Sequence, residues 1–173
     1  MFSEEKVSLV HQSPSNGTNT QFTLQILRTL PSVGTLVQGN WVVQSEILYP
    51  PESVSGTNGV PAELMCRGRD YILYQFYRGE AIDRRKIAGV TLLPPDEIKE
   101  LLLTVACFDR TTGWRLLQSP DTHFEEQNSE LKQRQDTYWR LKDEMFAELE
   151  SEAKSPRRKR KVSIREIKSE PSK

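Results

Sequence analysis

The feature that most constrains this chain is a helix signal leading straight into a hairpin signal between residues 94 and 117. Pro94-Pro95-Asp96-Glu97 is a strong helix start, because proline suits a first turn that needs no N–H and early acids favour the positive end of the helix dipole. Ile98, Leu101, Leu102 and Val105 follow at i, i+3, i+4 and i+7, a single buried stripe. Cys107 to Arg110 and Trp114 to Leu117 then flank Thr111-Thr112-Gly113, which reads as a hairpin. Upstream, Met65, Gly68, Ile72 and Phe76 mark one face of a helix over Pro61 to Tyr77, with Gly68 admitting a close neighbour. A basic stretch, Arg78, Arg84, Arg85 and Lys86, leads from it into a shorter helix over Ile87 to Leu93.

Helix, short helix, helix, hairpin is the order of a winged helix, expected over residues 61–118 with Trp114 packed on Ile98, Leu102 and Met65. Residues 1–50 read as part of a second such unit. The polar run 12–20 is expected to be a loop, after which Phe22, Ile26, Leu27 and Leu30 take helical spacing until Pro31 and Gly34. Thr35 to Gln38 and Trp41 to Leu48 flank the turn pair Gly39-Asn40. Aligning Trp41 with Trp114 gives an offset of 73 residues, about one winged-helix length, with the opening helix of the first copy missing. Residues 51–60, rich in Pro, Gly and Ser, read as a linker. Over 119–150, Phe124, Leu131, Tyr138 and Met145 recur every seven residues with Leu141 and Leu149 between them, a long amphipathic helix strapped onto its own domain. Charged Arg134 and Glu148 at alternate seam positions disfavour a coiled coil. The expected class is α+β: tandem winged-helix-like units, the first incomplete, a C-terminal amphipathic helix, and a disordered basic tail over 151–173.

At 173 residues the chain has room for one ordinary domain or two small ones, which excludes a large multidomain enzyme. Its 24 basic and 24 acidic residues cancel, but unevenly. Residues 151–173 hold nine Lys or Arg against three Glu, a surplus of six, so residues 1–150 carry a deficit of six. Apolar runs such as Leu101 to Cys107 fall far below the roughly 18 residues of a membrane span, and the Glu4-Glu5-Lys6 start lacks a signal-peptide core. A soluble protein without a membrane partner is expected. Cys66 and Cys107 make no disulfide framework and read as buried apolar groups. The chain has no Gly-rich phosphate loop, no GxSxG and no HExxH, while His11, Cys66, Cys107 and His123 match no zinc spacing. No catalytic residue, metal or cofactor is expected.

Nucleic acid is the obvious partner for a winged helix, yet the candidate reading helix offers Asp96, Glu97 and Glu100 against one Lys99, and carboxylates repel phosphate. Arg67, Arg69, Arg84 and Arg85 are the body's candidate contacts to phosphate or to a protein partner. The tail is more specific. Arg157, Arg158, Lys159, Arg160 and Lys161 resemble a nuclear-import signal, and they also offer nonspecific nucleic-acid contact. Lys168, in Ile167-Lys168-Ser169-Glu170, fits a SUMO-acceptor pattern, while Ser155 and Ser163 fit kinase sites where a phosphate would offset the basic run.

Several strings carry a likeness to a known family. Leu36-Val37-Gln38-Gly39-Asn40-Trp41-Val42-Val43, residues 45–50 (SEILYP), Gly59-Val60-Pro61-Ala62-Glu63, Cys66-Arg67-Gly68-Arg69-Asp70, Gly113-Trp114 and Gln133-Arg134-Gln135 resemble the fifth polymerase-specific subunit of eukaryotic RNA polymerase III, over about residues 36–150. The resemblance implies a non-catalytic nuclear subunit of the enzyme that makes tRNA and 5S rRNA, docking on other polymerase subunits or transcription factors. It also implies tandem winged helices, as metazoan members have. The family's N-terminal barrel, which forms a TFIIF-like heterodimer, has no counterpart here, so heterodimerisation does not carry over. The match places Met1 inside a winged helix, as in a fragment, a short form or an altered isoform. The alternative is a free-standing winged-helix DNA-binding regulator.

Overall fold

The stripe read from the sequence is the inner face of a helix. Ile98, Leu101, Leu102 and Val105 are all buried in the computed structural model, which describes residues 17–56 and 58–154. In chain order the elements are α1 (Gly17–Thr29), a 3-10 turn (Leu30–Ser32), β1 (Gly34–Val37), β2 (Asn40–Val43), α2 (Ser45–Leu48), α3 (Ala62–Tyr77), α4 (Arg84–Thr91), α5 (Pro95–Val105), β3 (Ala106–Asp109), β4 (Gly113–Leu116), α6 (Thr122–Gln127) and α7 (Ser129–Lys154). The class is α+β, with two separate antiparallel hairpins.

From α3 to β4 the elements follow the winged-helix order. α4 starts where the Asp83 carboxylate accepts the Arg85 N–H at 2.8 Å, and it ends at left-handed Leu92. Gly68 sits where α3 meets Leu93: a Cβ there would lie 2.1 Å from Leu93 Cδ1, so only glycine admits the approach. α5 passes directly into β3, whose Phe108 lies opposite Trp114 on β4. Trp114 packs against the core cluster that holds Met65, Ile98 and Leu102, but it is less buried than a core residue. It is half-buried at the edge of the core, because a two-stranded wing has no second layer to cover it. Cys66 and Cys107 are likewise half-buried free thiols, not core groups.

The first hairpin has Leu36 opposite Trp41, with Gln38 and Gly39 at φ of 51° and 78° in its turn. The helix before it starts at Gly17, inside the run expected to be a loop. β2 ends at Val43, and the expected strand over Trp41 to Leu48 gives way to the single turn α2. The cause lies beneath: Arg69 Nη1 takes the Val43 carbonyl at 2.7 Å and the Ser45 hydroxyl at 3.1 Å, and that hydroxyl donates to Asp70 at 2.5 Å. Lys142 Nζ reaches the other Asp70 oxygen at 2.8 Å, joining α7 to the same cluster. The stretch read as a linker is a tied-down loop, with Ser55 N–H on the Val60 carbonyl at 2.8 Å and Ala62 N–H on Ser53 at 3.0 Å.

The expected single helix over 119–150 is two, broken at Asn128, whose amide and backbone N–H both turn back to the Phe124 carbonyl. α7 then runs through residues 151–154, so helix occupies the start of the segment expected to be disordered. It straps across β1, α3 and α4. Trp139 and Phe146 are its buried apolar anchors, whereas Leu141 and Met145 point outward. Tyr71, Tyr74 and Tyr77 on α3 surround these anchors and donate their hydroxyls to Glu150, Asp143 and Asp136 on α7. Trp139 also ties in the first hairpin, its indole N–H on the Leu36 carbonyl at 3.1 Å. Gln38 Nε2 on the Phe76 carbonyl (2.6 Å) and Asp121 N–H on the Gln38 carbonyl (2.9 Å) complete that attachment.

Candidate docking groove

Arg84, Arg85 and Lys86 occupy the first turn of α4, the end of a helix where positive charge is unfavourable. Lys86 is compensated by Glu80 and Glu150 at 3.3 and 3.2 Å. No ion pair compensates Arg84 or Arg85 among the described residues. Both are exposed and line a groove of about 680 Å³ that runs between α4, α5 and the second hairpin.

The opposite wall and floor come from α5 and the wing. Lys99 and Leu103, at i and i+4, share one row of α5 outside its buried stripe. Leu103 is 56% exposed. On the wing, Phe108 (62% exposed) meets half-buried Trp114 edge to face, ring centroids 5.4 Å apart. The wing turn is held by Asp109, which accepts the Thr111 and Thr112 backbone N–H groups at 2.8 and 2.9 Å. The Thr111 hydroxyl, then these N–H groups, hold the Asp109 carboxyl far below the usual carboxylate range. The result is a fixed apolar floor whose rim carries Arg84, Arg85 and Lys99 against the single carboxylate of Asp83.

The remaining candidates divide. Arg69 is 2% exposed and bound to Val43 and Ser45, so it is corrected from a surface contact to a structural residue. Burial lowers its pKa, and neighbouring Asp70 opposes that. Arg67 lines a separate cleft with Tyr49, Cys66 and Met145. Glu97, read from the sequence as one of three carboxylates presented by α5 that would repel phosphate, is 0% exposed and turns inward to Asn58 at 2.7 Å and Ser55 at 3.1 Å. Burial acts to raise its pKa, but hydrogen bonds from Asn58, its own backbone and Ser55 prevail and hold the carboxyl below its ordinary value. Arg157 to Lys161, Lys168, Ser155 and Ser163 lie outside the described residues. Sequence reasoning missed Lys99, Leu103 and Phe108; the signal for the first two was their i, i+4 spacing off the buried stripe.

Fold and groove together define the class: an α+β protein whose described residues hold two antiparallel hairpins, the second beside an open groove. The family model described as RPC5 protein matches residues 6–148, and the chain belongs to that family. Among its relatives are the DNA-directed RNA polymerase III subunit RPC5 of Mus musculus and that of Homo sapiens. Each is 40% identical over 114 residues, a match spanning 66% of this chain and 16% of the relative. No helix among the described residues is long and apolar enough to cross a membrane.

Proposed function

We propose that this chain is a non-catalytic accessory part of RNA polymerase III, docking on other subunits or transcription factors in the nucleus during synthesis of small RNAs such as tRNA and 5S rRNA. The 40% identity to the mouse and human subunits carries this reading. It includes the finer architecture, tandem winged-helix units over 1–50 and 61–118, and a tail that supplies nuclear import and weak nonspecific contact with nucleic acid. The surface of α5 favours docking over a free DNA-binding regulator. Its exposed side chains include Asp96, Glu100 and Leu103 against the single Lys99, a poor set for a phosphate backbone. Affinity purification of the tagged full chain from nuclear extract tests the proposal. Polymerase III subunits should co-purify; recovery of the chain alone, with tight sequence-selective binding to duplex DNA, would favour the regulator.

A further inference from the structure

We infer that the groove between α4, α5 and the wing binds a short acidic segment of another protein, with apolar side chains seated between flanking carboxylates. This deepens the docking reading and rests on it. Three observations meet here. Arg84 and Arg85 stand at an unfavourable helix end without a compensating ion pair among the described residues, so a ligand carboxylate would gain charge pairing there without breaking an existing bridge. Lys99 supplies a third cation from the facing helix. Between them lie Leu103, Phe108 and Trp114, an exposed apolar surface of the kind that becomes the centre of an interface once its rim is sealed.

Charge selects the class of partner. A nucleic-acid strand would extend its phosphates beyond the three cations and along α5, where Asp96 and Glu100 are exposed. Asp83 precedes Arg84 on the same rim, and Asp96 and Glu100 neighbour Lys99 on α5, so the groove takes a few carboxylates set on Arg84, Arg85 and Lys99 and not a long polyanion. Leu103 suits an aliphatic or aromatic anchor, whereas Phe108 is also a surface on which a base can stack, so an oligonucleotide belongs among the probes. The chain's own tail is basic and does not complement the groove.

Fluorescence anisotropy on the full chain tests this with a labelled dodecapeptide in which Asp and Glu alternate with Phe and Leu. Comparison probes are the same peptide with Ser at every apolar position, and a 12-nucleotide oligo-dT. The dodecapeptide should bind best. Binding should weaken about tenfold or more in R84E/R85E and in F108S, the loss expected when an interface anchor is removed. Both variants keep the tail, so the loss reports the groove, and unchanged circular dichroism verifies their folding. R134E, away from the groove, should bind as the parent does. Equal binding of the Ser peptide, or no effect of R84E/R85E, overturns the proposal, and stronger binding of oligo-dT assigns the groove to nucleic acid. If the parent co-purifies with polymerase subunits yet binds no acidic peptide, the groove assignment fails while the accessory role stands. Peptide binding without co-purification gives the converse.

Discussion

Replacing Trp139 by Ala removes an indole that is 1% exposed, stacks on Tyr77 at 5.5 Å and satisfies the Leu36 carbonyl. The loss should be about 3 to 5 kcal/mol in denaturant titration, as for other buried aromatics. Trp114→Ala should cost only about 1 to 2 kcal/mol, because that ring is only partly buried at the edge of the core. Comparable losses at the two sites would contradict the packing described. Glu97 gives a pH signature. Its folded carboxyl titrates below the ordinary value of 4.5, so its contribution is present above that value and is lost as pH falls through the folded pKa. Glu97→Gln should therefore destabilise the protein at pH 7, and the gap to the parent should shrink as pH drops below about 4.5. A gap constant from pH 7 to pH 3 would mean the carboxylate is not held by Asn58 and Ser55.

At the level of elements, α3 tests how closely glycine is required. Gly68→Ala gains about 1 kcal/mol of helix propensity, but its Cβ meets Leu93 and Leu101, both buried. Overpacking of this kind costs about 1 to 3 kcal/mol, so the net change should be destabilising, and Leu93→Val in the same chain should recover part of it. Gly68, like the α5 stripe, was legible in the sequence because each is a local signal that needs no knowledge of neighbours. The first hairpin was legible too, but its turn is Gln38-Gly39, one residue before the Gly39-Asn40 pair, with Asn40 opening β2. α7 was only half legible. A seven-residue count starting at Phe124 ignores the break at Asn128, and a straight helix drifts from that repeat, which turns Leu141 and Met145 outward and brings Trp139 and Phe146 in. α2 was unreadable for another reason: Arg69 and Asp70, some 25 residues away, end the strand there. The groove was partly visible, since Arg84 and Arg85 were singled out. Arg69 was read as a candidate contact and Glu97 as a surface carboxylate, because residue type alone does not reveal burial.

For the whole molecule, charge is divided between an acidic body and a basic tail. Binding to duplex DNA should come from the tail, weaken steeply with salt, and fall to about 100 μM or weaker near physiological salt once Arg157 to Lys161 are changed to Gln. Anisotropy across a salt series measures this; retained tight binding would place the contact on the body. Nuclear accumulation should fall with the same substitutions, as microscopy of a tagged chain would read, unless a docked partner carries the chain in. The attachment of the first hairpin through Trp139 has one further consequence. An indole enclosed by tyrosines and bonded to a carbonyl of β1 emits at short wavelength, and water reaching it shifts that emission to the red. The joint between the two hairpin units thus contains its own optical gauge, and in a chain whose Trp41 and Trp114 are replaced by Phe its opening can be followed in real time, without a label, from the emission of Trp139.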